Sequence, residues 1–445
     1  MNTRNKKWLT KQPSFGLTLV LVVVSLAFIG RVAVAISQDW VSIQTGTTGD
    51  WVGVLFVGAA TTSLILFSIR WLLHMGCLMI PGGAAPDGNC TEKVTAIVPA
   101  FNEQDGIVKT MASLDAQDYE NLEIIVVDDG SSDRTLQLAR EYMSESKGDI
   151  RVLTQENGGK STALNQGLHA ATGTIVMTVD ADSELATDAV SVMVRWFADD
   201  SVDGVAGQVK VKNRDGALTR LQNLEYLIGN TVYRRAQSLF GSVLLVPGPI
   251  AMYRKSSLLD MIEEDRRSDV FLSDTFAEDF ELSVALLLKD KKIIYDANAV
   301  AYTIAPHSLP DLVSQRYRWI RGNMQVCKKF VASMTTEQCP GKNRALFWMA
   351  PTFLFELTFL PVIVLTSISA LIAAANAGAN VAQFEWLLVL PLLTLFVGMI
   401  SVSVQKDKLS SLLVVPIYDV CYGTLLSVVW MIAAIDEMRE SNMSW

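Results

Sequence analysis

The chain has 445 residues, 50% of them hydrophobic, and a formal net charge of −9 at pH 7. A mean hydropathy of +0.30 is high for a soluble protein and indicates membrane segments. The acidic balance, with no stripe of lysine and arginine interleaved with aromatic residues, argues against a nucleic-acid partner. Five scattered cysteines without a Cys-x-x-Cys pair argue against a disulfide framework or a zinc site and favour a reducing compartment.

Two long apolar runs open the chain. Phe15–Ile36 and Val52–Leu73 are each long enough to cross about 30 Å of hydrocarbon as a helix. Their single arginines, Arg31 and Arg70, lie near the ends of the runs, where a long side chain reaches the membrane surface. A signal peptide is the alternative for the first run, which is too long for one and lacks a small-residue cleavage site. Residues 1–73 are therefore predicted to form an N-terminal membrane region with two transmembrane helices.

The positive charges around these runs predict their orientation. Four lysines and arginines precede the first run, whereas the loop Ser37–Trp51 has none. Positively charged flanks stay on the cytoplasmic side. Two crossings return the chain to that side, so the polar region 74–344 is predicted to be a cytoplasmic domain. The protein is predicted to be a multi-pass protein of the cell inner (cytoplasmic) membrane.

The polar region begins with four short β-type runs, each followed by polar or acidic residues. The runs are Val94–Val98, Glu123–Val127, Ile150–Thr154 and Thr174–Val179, and helical patterns lie between them. In an open, mostly parallel α/β sheet, ligands bind beyond the carboxyl ends of the strands. This layout predicts a nucleotide-binding crevice that is built from four strand-end loops.

The acidic pair Asp180 and Asp182 follows the fourth run, with one small residue between them. Both carboxylates can face the crevice and share a hard divalent cation, Mg²⁺ or Mn²⁺. The alternative is a strand-ending turn with an aspartate that caps the next helix. The loops Pro99–Glu103, Asp128–Asp133 and Asn157–Lys160 could each be a simple turn as well. Four such loops in this order favour a nucleotide site.

Apolar sequence returns in the last quarter of the chain, and residues 345–445 are predicted to form a C-terminal membrane region. Ala345–Ala375 contains two prolines, which fits a short interfacial helix that leads into a span. Trp386–Val404 is predicted to be another span. Leu409–Ile435, interrupted by a proline and an aspartate, is predicted to be a last span, with a half-inserted or interfacial helix as the alternative.

The order of motifs in Val94–Phe330 resembles the catalytic domain of the membrane-embedded family-2 glycosyltransferases, which include cellulose, hyaluronan, chitin and poly-N-acetylglucosamine synthases. The matching motifs are Pro99-Ala100-Phe101-Asn102-Glu103, Asp128-Asp129-Gly130, Asn157-Gly158-Gly159-Lys160, Asp180-Ala181-Asp182, Gly248-Pro249, Ala277-Glu278-Asp279 and Gln315-Arg316-Tyr317-Arg318-Trp319. The last, Gln-x-x-Arg-Trp, accompanies processive polymer synthesis in this family. The resemblance implies an α/β fold, with a GT-A-type, Rossmann-like glycosyltransferase domain inserted between transmembrane helices.

The resemblance also implies a role for each matching residue. The donor-binding set is Pro99, Phe101, Glu103, Asp128, Asp129, Lys160, Asp180, Asp182, Gln315 and Arg318. Within it, Asp129 with Asp128 would bind the uracil, and Asp180 and Asp182 would hold Mg²⁺ or Mn²⁺. The catalytic set is Glu278 and Asp279, and the acceptor-binding set is Gly248, Pro249 and Trp319. Ala277 departs from the family pattern, in which many members carry threonine before Glu-Asp, so an orienting hydroxyl is missing.

These residue types suit transfer from a UDP-sugar. A cation and Arg318 would stabilise the charge that grows on the diphosphate as the glycosidic bond breaks. Asp279, at the start of a helix, would take the proton of the acceptor hydroxyl. One base without a carboxylate nucleophile implies inversion, from an α-linked donor to a β-linked product. The alternatives are acidic residues that only favour a helix N-terminus and, for Gln315–Trp319, an amphipathic helix with Arg316 and Arg318 near lipid phosphates.

The predicted function is an inverting, processive β-glycosyltransferase that polymerises UDP-N-acetylglucosamine or UDP-glucose into an exopolysaccharide and translocates it across the membrane. Its predicted partners are the UDP-sugar, the growing polysaccharide and the lipid bilayer. No nucleic-acid partner is expected. The sequence leaves open whether an accessory membrane or periplasmic subunit binds. The first alternative is a single-transfer glycosyltransferase that acts on a lipid acceptor. The second is a non-catalytic scaffold or polysaccharide sensor, which would be expected to have lost Asp182 or Asp279. Both are present.

Overall fold

A computed structural model describes residues 68–80, 90–265, 267–336, 340–341, 343–349 and 385–441, with scattered further positions before residue 90. The predicted spans fall partly outside this range. Nearly all of Phe15–Ile36, and most of Val52–Leu73 and Ala345–Ala375, lie outside the described residues. Within the part of the chain that is described, no helix is both long and apolar enough to cross a membrane.

Eight strands of the described chain form one mixed sheet in the order β3-β2-β1-β4-β7-β6-β8-β5. The strands are β1 (Val94–Ala100), β2 (Leu122–Asp128), β3 (Asp149–Thr154), β4 (Ile175–Thr178), β5 (Glu184–Leu185), β6 (Val202–Val211), β7 (Ala251–Arg254) and β8 (Lys292–Thr303). Strands β1 to β4 are mutually parallel, whereas β7 lies antiparallel between β4 and β6. The four predicted runs therefore form the parallel half of the sheet.

Helices connect and cover these strands. They are α1 (68–79), α2 (Ile107–Asp115), α3 (Thr135–Glu145), α4 (Lys160–Ala170), α5 (Ala189–Val194), α6 (Ala217–Ile228), α7 (Arg235–Leu239), α8 (Lys255–Asp265), α9 (Glu278–Leu288), α10 (Leu309–Thr336), α11 (343–349), α12 (Glu385–Gln405), α13 (Val415–Ile417) and α14 (Gly423–Met438). A π-helical segment, Gly229–Arg234, joins α6 to α7. A second one, Tyr418–Tyr422, joins α13 to α14.

The central strands are buried on both faces of the sheet. In β1, Ala96 and Val98 pack into the hydrophobic cluster on one face, whereas Ile97 packs into the cluster on the other. In β2, Val126 and Ile125 divide between the same two clusters. A strand that is buried on both faces needs a continuous apolar run instead of an alternating pattern. This is why the parallel strands are evident in the sequence.

The C-terminal segment is attached to the sheet domain by polar contacts. Helix α12 coincides with the predicted span Trp386–Val404, and its last residue, Gln405, donates to the Leu227 carbonyl at 2.9 Å. Asp407 accepts two hydrogen bonds from Arg214, at 2.7 and 2.8 Å. The stretch Leu409–Ile435 is not one continuous helix, because a 3-10 turn, the short α13 and a π-helical segment precede α14.

Candidate active site

The loops that follow β1 and β2 are bound to each other at the carboxyl edge of the parallel strands. The Asn102 N–H donates to Ser131 Oγ at 3.0 Å, and the Ser132 N–H donates to Asn102 Oδ1 at 2.9 Å. The Glu103 N–H donates to Thr135 Oγ1 at 2.7 Å. Asn102 has a φ of 57°, in the left-handed region that asparagine tolerates better than most residues. The two predicted loops therefore form one wall of the crevice.

Asp129 is buried and holds the loop that follows β3. Its Oδ1 accepts hydrogen bonds from Gln155 Nε2 at 2.6 Å and from the Gly158 N–H at 2.9 Å. Its Oδ2 accepts one from the Gly159 N–H at 2.8 Å, and Gly159 has a φ of +89° that only glycine adopts without strain. The carboxylate of Asp129, which the resemblance predicts to bind uracil, thus already accepts three hydrogen bonds from the protein.

The neighbouring Asp128 has one carboxylate oxygen that accepts no hydrogen bond among the described residues. Its Oδ2 accepts from the Ser131 N–H at 3.4 Å and from Thr154 Oγ1 at 3.3 Å. Its Oδ1 is buried and has no hydrogen-bond partner in the described part of the chain. A buried acceptor without a donor costs free energy until a donor reaches it. Of this predicted pair, Asp128 is therefore the residue whose carboxylate can accept a hydrogen bond from a ligand.

Lys160, the first residue of α4, joins two predicted motifs. Its Nζ lies 2.8 Å from Asp180 Oδ1 and 2.8 Å from Glu278 Oε1. Burial alone would lower the pKa of Lys160, but attraction to Asp180 and Glu278 raises it well above its usual value. Burial also opposes ionisation of Glu278, yet attraction to Lys160 outweighs it and the pKa of Glu278 is lowered. Glu278 is therefore ionised and engaged, which leaves Asp279 as the available base.

Asp279 lies in the first turn of α9 and faces Gly248. Its Oδ2 accepts the Gly248 N–H at 3.3 Å, and its Oδ1 accepts the Phe280 N–H at 2.8 Å. Burial, followed by repulsion from Glu278, raises the pKa of Asp279 to about 6. A carboxyl group that titrates near neutral pH is suited to accept a proton during a reaction.

Gly248 brings the acceptor-binding motif next to the donor side of the site. A β-carbon at this position would lie 3.0 Å from each carboxylate oxygen of Asp180 and 3.0 Å from Lys160 Nζ. Such a contact would force the Lys160–Asp180 pair to move. Glycine thus leaves the Lys160–Asp180 pair undisturbed where these two motifs meet.

Asp180, Asp182 and Glu103 form a group of carboxyls that repel one another. Burial, followed by repulsion from Asp180, raises the pKa of Asp182 to about 6. Burial, followed by repulsion from Asp182 and Asp180, raises the pKa of Glu103 to about 7. A cation beside these groups would reverse the repulsion.

A complete protein cage for a metal is absent from the described residues, where no group of three or more His, Cys, Asp or Glu side chains could hold an ion. Mg²⁺ is commonly held by one or two carboxylates, with water and substrate phosphates as the other ligands. The hard oxygen atoms of Asp180 and Asp182 provide such a partial set. The predicted metal-binding residues therefore fit a cation that is shared with a diphosphate.

A cleft connects these groups. Its lining contains six predicted site residues together with four that the sequence did not indicate: Pro99, Lys160, Leu164, Thr178, Asp180, Gly248, Tyr253, Phe271, Glu278 and Asp279. The buried Tyr253 comes from β7 and Phe271 from the loop before α9. Neither belongs to a recognisable motif, so no signal in the sequence identifies them. The cleft brings the Asp-x-Asp, Gly-Pro and Glu-Asp motifs together.

The Gln-x-x-Arg-Trp motif lies on α10, beside the cleft. Arg318 and Trp319 are exposed, and Arg318 is among the charges that lower the pKa of Glu278. Gln315 has a buried Oε1 without a partner in the described part of the chain. The amphipathic alternative requires Arg316 to be exposed to lipid phosphates, but the side chain is buried. It is 4% exposed and pairs with Glu225 at 2.8 Å.

Nine predicted site residues lie outside the lining of the cleft, and Phe101 and Pro249 are the two not yet described. Phe101 is 46% exposed, which places its ring at the surface of the loop after β1. Pro249 follows Gly248 and is half-buried. Their predicted roles in donor and acceptor binding depend on a bound ligand and stay predictions.

Comparisons with known proteins identify sequences and a structure that are similar to this chain. Residues 95–261 match the family model described as glycosyl transferase family 2. The chain is 34% identical over 261 residues to the poly-beta-1,6-N-acetyl-D-glucosamine synthase of Staphylococcus aureus, which covers 57% of this chain and 61% of that protein. It is 32% identical over 279 residues to an N-acetylglucosaminyltransferase of Azorhizobium caulinodans, which covers 61% of this chain and 70% of that protein. The chain thus spans 61% of the length of the first relative.

Among solved structures, the fold is similar to that of a mannosyltransferase from Pyrobaculum calidifontis in complex with GDP-Man and Mn²⁺. The TM-score is 0.61 at 20% identity, and the match covers 87% of this chain and 99% of that one. At this identity the likeness concerns the fold alone. It confirms the predicted α/β fold of the GT-A type, whereas the sheet is mixed instead of mostly parallel because β7 runs antiparallel to its neighbours.

Proposed function

Because the chain belongs to glycosyl transferase family 2, we propose that it is an inverting, processive β-glycosyltransferase that polymerises UDP-N-acetylglucosamine and exports the product. The observation that carries the proposal is the cleft in which Lys160 joins Asp180 to Glu278, beside Asp279. The short distances between these side chains support a diphosphate site next to a catalytic base. The names of the two relatives, a poly-N-acetylglucosamine synthase and an N-acetylglucosaminyltransferase, favour N-acetylglucosamine over glucose as the sugar.

The donor would bind across the ends of β1 to β4. Asp128, with its unpartnered Oδ1, is placed to accept a nucleobase N–H, and Asp129 shapes the loop below it. Asp180 and Asp182 would hold Mg²⁺ or Mn²⁺, which would supply positive charge to the departing diphosphate. Arg318, exposed on α10 and close enough to influence Glu278, would add a second positive charge there.

Proton transfer would be the task of Asp279. Glu278 is bound to Lys160, whereas the carboxylate of Asp279 accepts hydrogen bonds from two backbone N–H groups. Its raised pKa makes it a better proton acceptor than an ordinary aspartate. The acceptor hydroxyl gives its proton to Asp279 and attacks the anomeric carbon on the face opposite the leaving UDP. A single displacement of this kind inverts the configuration and gives a β-linked product.

Polymerisation and export are the finer part of the proposal. Trp319 offers an exposed indole next to the Gln-x-x-Arg motif, and an aromatic face packs well on a sugar ring. Residues 1–73 and 345–445 would form the membrane regions around a cytoplasmic domain at 74–344. Leu409 and Leu413, at 72% and 73% exposure, support contact of the C-terminal segment with lipid. An accessory membrane or periplasmic subunit fits this arrangement.

The test is product analysis with purified full-length protein in lipid nanodiscs. UDP-N-acetylglucosamine and UDP-glucose are supplied separately with Mg²⁺ or Mn²⁺, and product mass and linkage are measured. β-Linked N-acetylglucosamine chains of many units support the proposal. Addition of a single sugar to a lipid supports the alternative of a single-transfer enzyme. An absence of product and of UDP release with both donors contradicts both.

Trp319→Ala separates the polymerase from that alternative. Removal of the stacking surface should weaken retention of the acceptor end and give short products or donor hydrolysis, because the diphosphate contacts are untouched. Products of unchanged length at an unchanged rate would contradict the role of Trp319 in polymer binding and would favour the single-transfer enzyme that acts on a lipid acceptor.

A further inference from the structure

Arg316 and Trp319 are three residues apart on α10, so their side chains lie on neighbouring parts of one helix face. Cζ of Arg316 lies 4.3 Å from the centroid of the Trp319 ring. Guanidinium groups stack on aromatic faces, and the contact is stronger when the cation is removed from water. Arg316 is 4% exposed and Trp319 is 39% exposed. The arginine thus covers part of the indole, and the rest of the ring is open to the solvent.

The guanidinium group is held from two further elements. Its Nη2 lies 2.8 Å from Glu225 Oε2 on α6 and donates to the Tyr422 hydroxyl at 3.4 Å. The Tyr422 hydroxyl in turn donates to Glu225 Oε2 at 2.7 Å. Tyr422 is the last residue of the π-helical segment before α14 and is 2% exposed. The three side chains close a triangle that fixes the guanidinium over Trp319.

An ion pair with Glu225 does not by itself explain an arginine at this position. A lysine can make that pair, and Nε and Nη1 of Arg316 are buried without a hydrogen bond of good geometry among the described residues, although Tyr226 lies near the guanidinium. Unmet buried donors cost free energy. What arginine adds over lysine is a planar group that stacks on an aromatic ring. The contact with Trp319 is therefore the feature that distinguishes arginine from lysine at this position.

We propose that Glu225, Arg316 and Tyr422 form a positioning cluster that fixes the orientation of the Trp319 ring and so determines how long the growing sugar chain stays bound. The role of Trp319 as the acceptor platform rests on the proposed function, whereas the restraint on its ring rests on the geometry alone. Arg316 is a positioning residue, because it acts through Trp319. Its loss is expected to affect retention of the chain and to spare UDP binding.

The central variant is Arg316→Lys, which keeps a buried positive charge beside Glu225 and removes the planar group. The matched control is Arg321→Lys. Arg321 lies on the same helix, is 3% exposed and pairs with Glu437 at 3.0 Å. Both changes remove a buried guanidinium that pairs with a glutamate, but only Arg316 lies over Trp319.

Two readouts are measured on full-length protein in nanodiscs. The first is fluorine NMR of protein labelled with 5-fluorotryptophan, in which Trp319→Phe identifies the Trp319 resonance. This resonance is expected to shift and broaden in Arg316→Lys and to stay unchanged in Arg321→Lys. The second is product length from UDP-N-acetylglucosamine, which is expected to shorten several-fold in Arg316→Lys, with unchanged UDP binding.

The two readouts separate the inference from the proposed function. A Trp319 resonance in Arg316→Lys identical to that of the wild type overturns the positioning role, whichever donor the enzyme uses. A shifted resonance with unchanged product length overturns the link to chain retention. Wild-type protein that makes no polymer contradicts the proposed function and, with it, that link, but the resonance still decides the restraint on the ring.

Tyr422→Phe is the second variant, because Glu225→Gln leaves a buried charge without its partner and can prevent folding. Tyr422→Phe keeps the ring and removes only the hydroxyl that contacts both other members. It is expected to shift the Trp319 resonance less than Arg316→Lys does. An equal loss of product length in Arg321→Lys would indicate a general structural effect and would contradict the proposal.

Discussion

Gly322 of α10 packs directly against Ala277, the residue before Glu278 and Asp279. A β-carbon on Gly322 would lie 2.7 Å from the β-carbon of Ala277 and 2.7 Å from its backbone nitrogen. Real side chains do not tolerate such distances, so α10 and the loop before the candidate base are in backbone contact. The alanine that departs from the family pattern is thus the residue that Gly322 contacts.

Gly322→Ala is expected to lower the free energy of unfolding by about 1–3 kcal/mol, the usual cost of overpacking, and to lower kcat because the loop leads directly into the helix turn that contains Asp279. Denaturant unfolding and steady-state rates measure the two effects. Gly76→Ala is the control, since a β-carbon there has no neighbour within 4 Å among the described residues and alanine favours the helix. A Gly322→Ala protein as stable and active as the Gly76→Ala protein would contradict the close contact.

Lys160→Met removes the cation between Asp180 and Glu278. Attraction to Lys160 partly opposes the effects of burial and Glu278, which raise the pKa of Asp279 to about 6. Without this attraction the pKa of Asp279 rises further, so the acidic limb of the pH–rate profile is expected to move to higher pH. Lys109→Met, at an exposed lysine bound only to the Asp105 carbonyl among the described residues, is the control. An acidic limb at the wild-type position would argue against this coupling.

Asp279→Asn keeps the shape of the side chain and removes the base. It is expected to lower kcat by about 10²–10⁴-fold, while UDP binding, measured by calorimetry, is retained. In the wild type the rate should rise with pH through about 6, because only the ionised carboxylate accepts a proton. Loss of UDP binding in parallel with kcat would indicate a structural role instead.

The same raised pKa affects stability. Between pH 3.8 and about 6 the folded protein binds a proton at Asp279 more tightly than the unfolded chain does, so this group makes the free energy of unfolding fall as the pH rises through that window. Asp279→Asn should remove this contribution. Unfolding midpoints of the two proteins across that window provide the comparison.

Asp182→Asn is expected to abolish metal-dependent UDP binding. The change removes a carboxylate that would share the cation with Asp180, and excess chelator should have the same effect on the wild type. Asp200→Asn, at an exposed position, is the matched control and should bind UDP normally with added Mn²⁺. Full wild-type turnover in excess chelator would rule out the metal.

The predicted topology is tested with single cysteines and an impermeant thiol reagent added to intact cells. Ser144→Cys, exposed on α3, should be labelled only after the cells are opened. Thr47→Cys, in the loop that is predicted to be outside, should be labelled in intact cells. The reverse pattern would refute the cytoplasmic placement of residues 74–344.

The parallel half of the fold could be predicted from the sequence. Strands such as β2 carry continuous apolar runs because both faces are buried, and each ends in a polar loop. The runs Val94–Val98 and Glu123–Val127 fall within β1 and β2. The antiparallel strand β7 was not predicted, since its four residues carry no periodicity that distinguishes them from a loop.

The contacts between side chains within the site could not be predicted from the sequence, because they depend on tertiary packing. Lys160 was recognised as part of a donor-binding motif, but its contact with Glu278 depends on how α9 packs against the sheet. Only the alternative interpretation of Gln315–Trp319, an amphipathic helix on the membrane, assigned Arg316 a position, near lipid phosphates. Its burial depends on Glu225 and Tyr422, which are distant in sequence and carry no motif.

Helix α10 connects Trp319 to the loop before α9 and to α14. Its 28 residues span about 42 Å at 1.5 Å per residue, and Gln325 on it accepts the Phe276 N–H at 3.3 Å, one residue before Ala277. On the far side, Arg321 pairs with Glu437 of α14. A small molecule that inserts between α10 and α14 is expected to move Trp319, the proposed sugar platform, together with the loop before Asp279, the proposed base. Such an inhibitor would slow synthesis without competing with the nucleotide sugar.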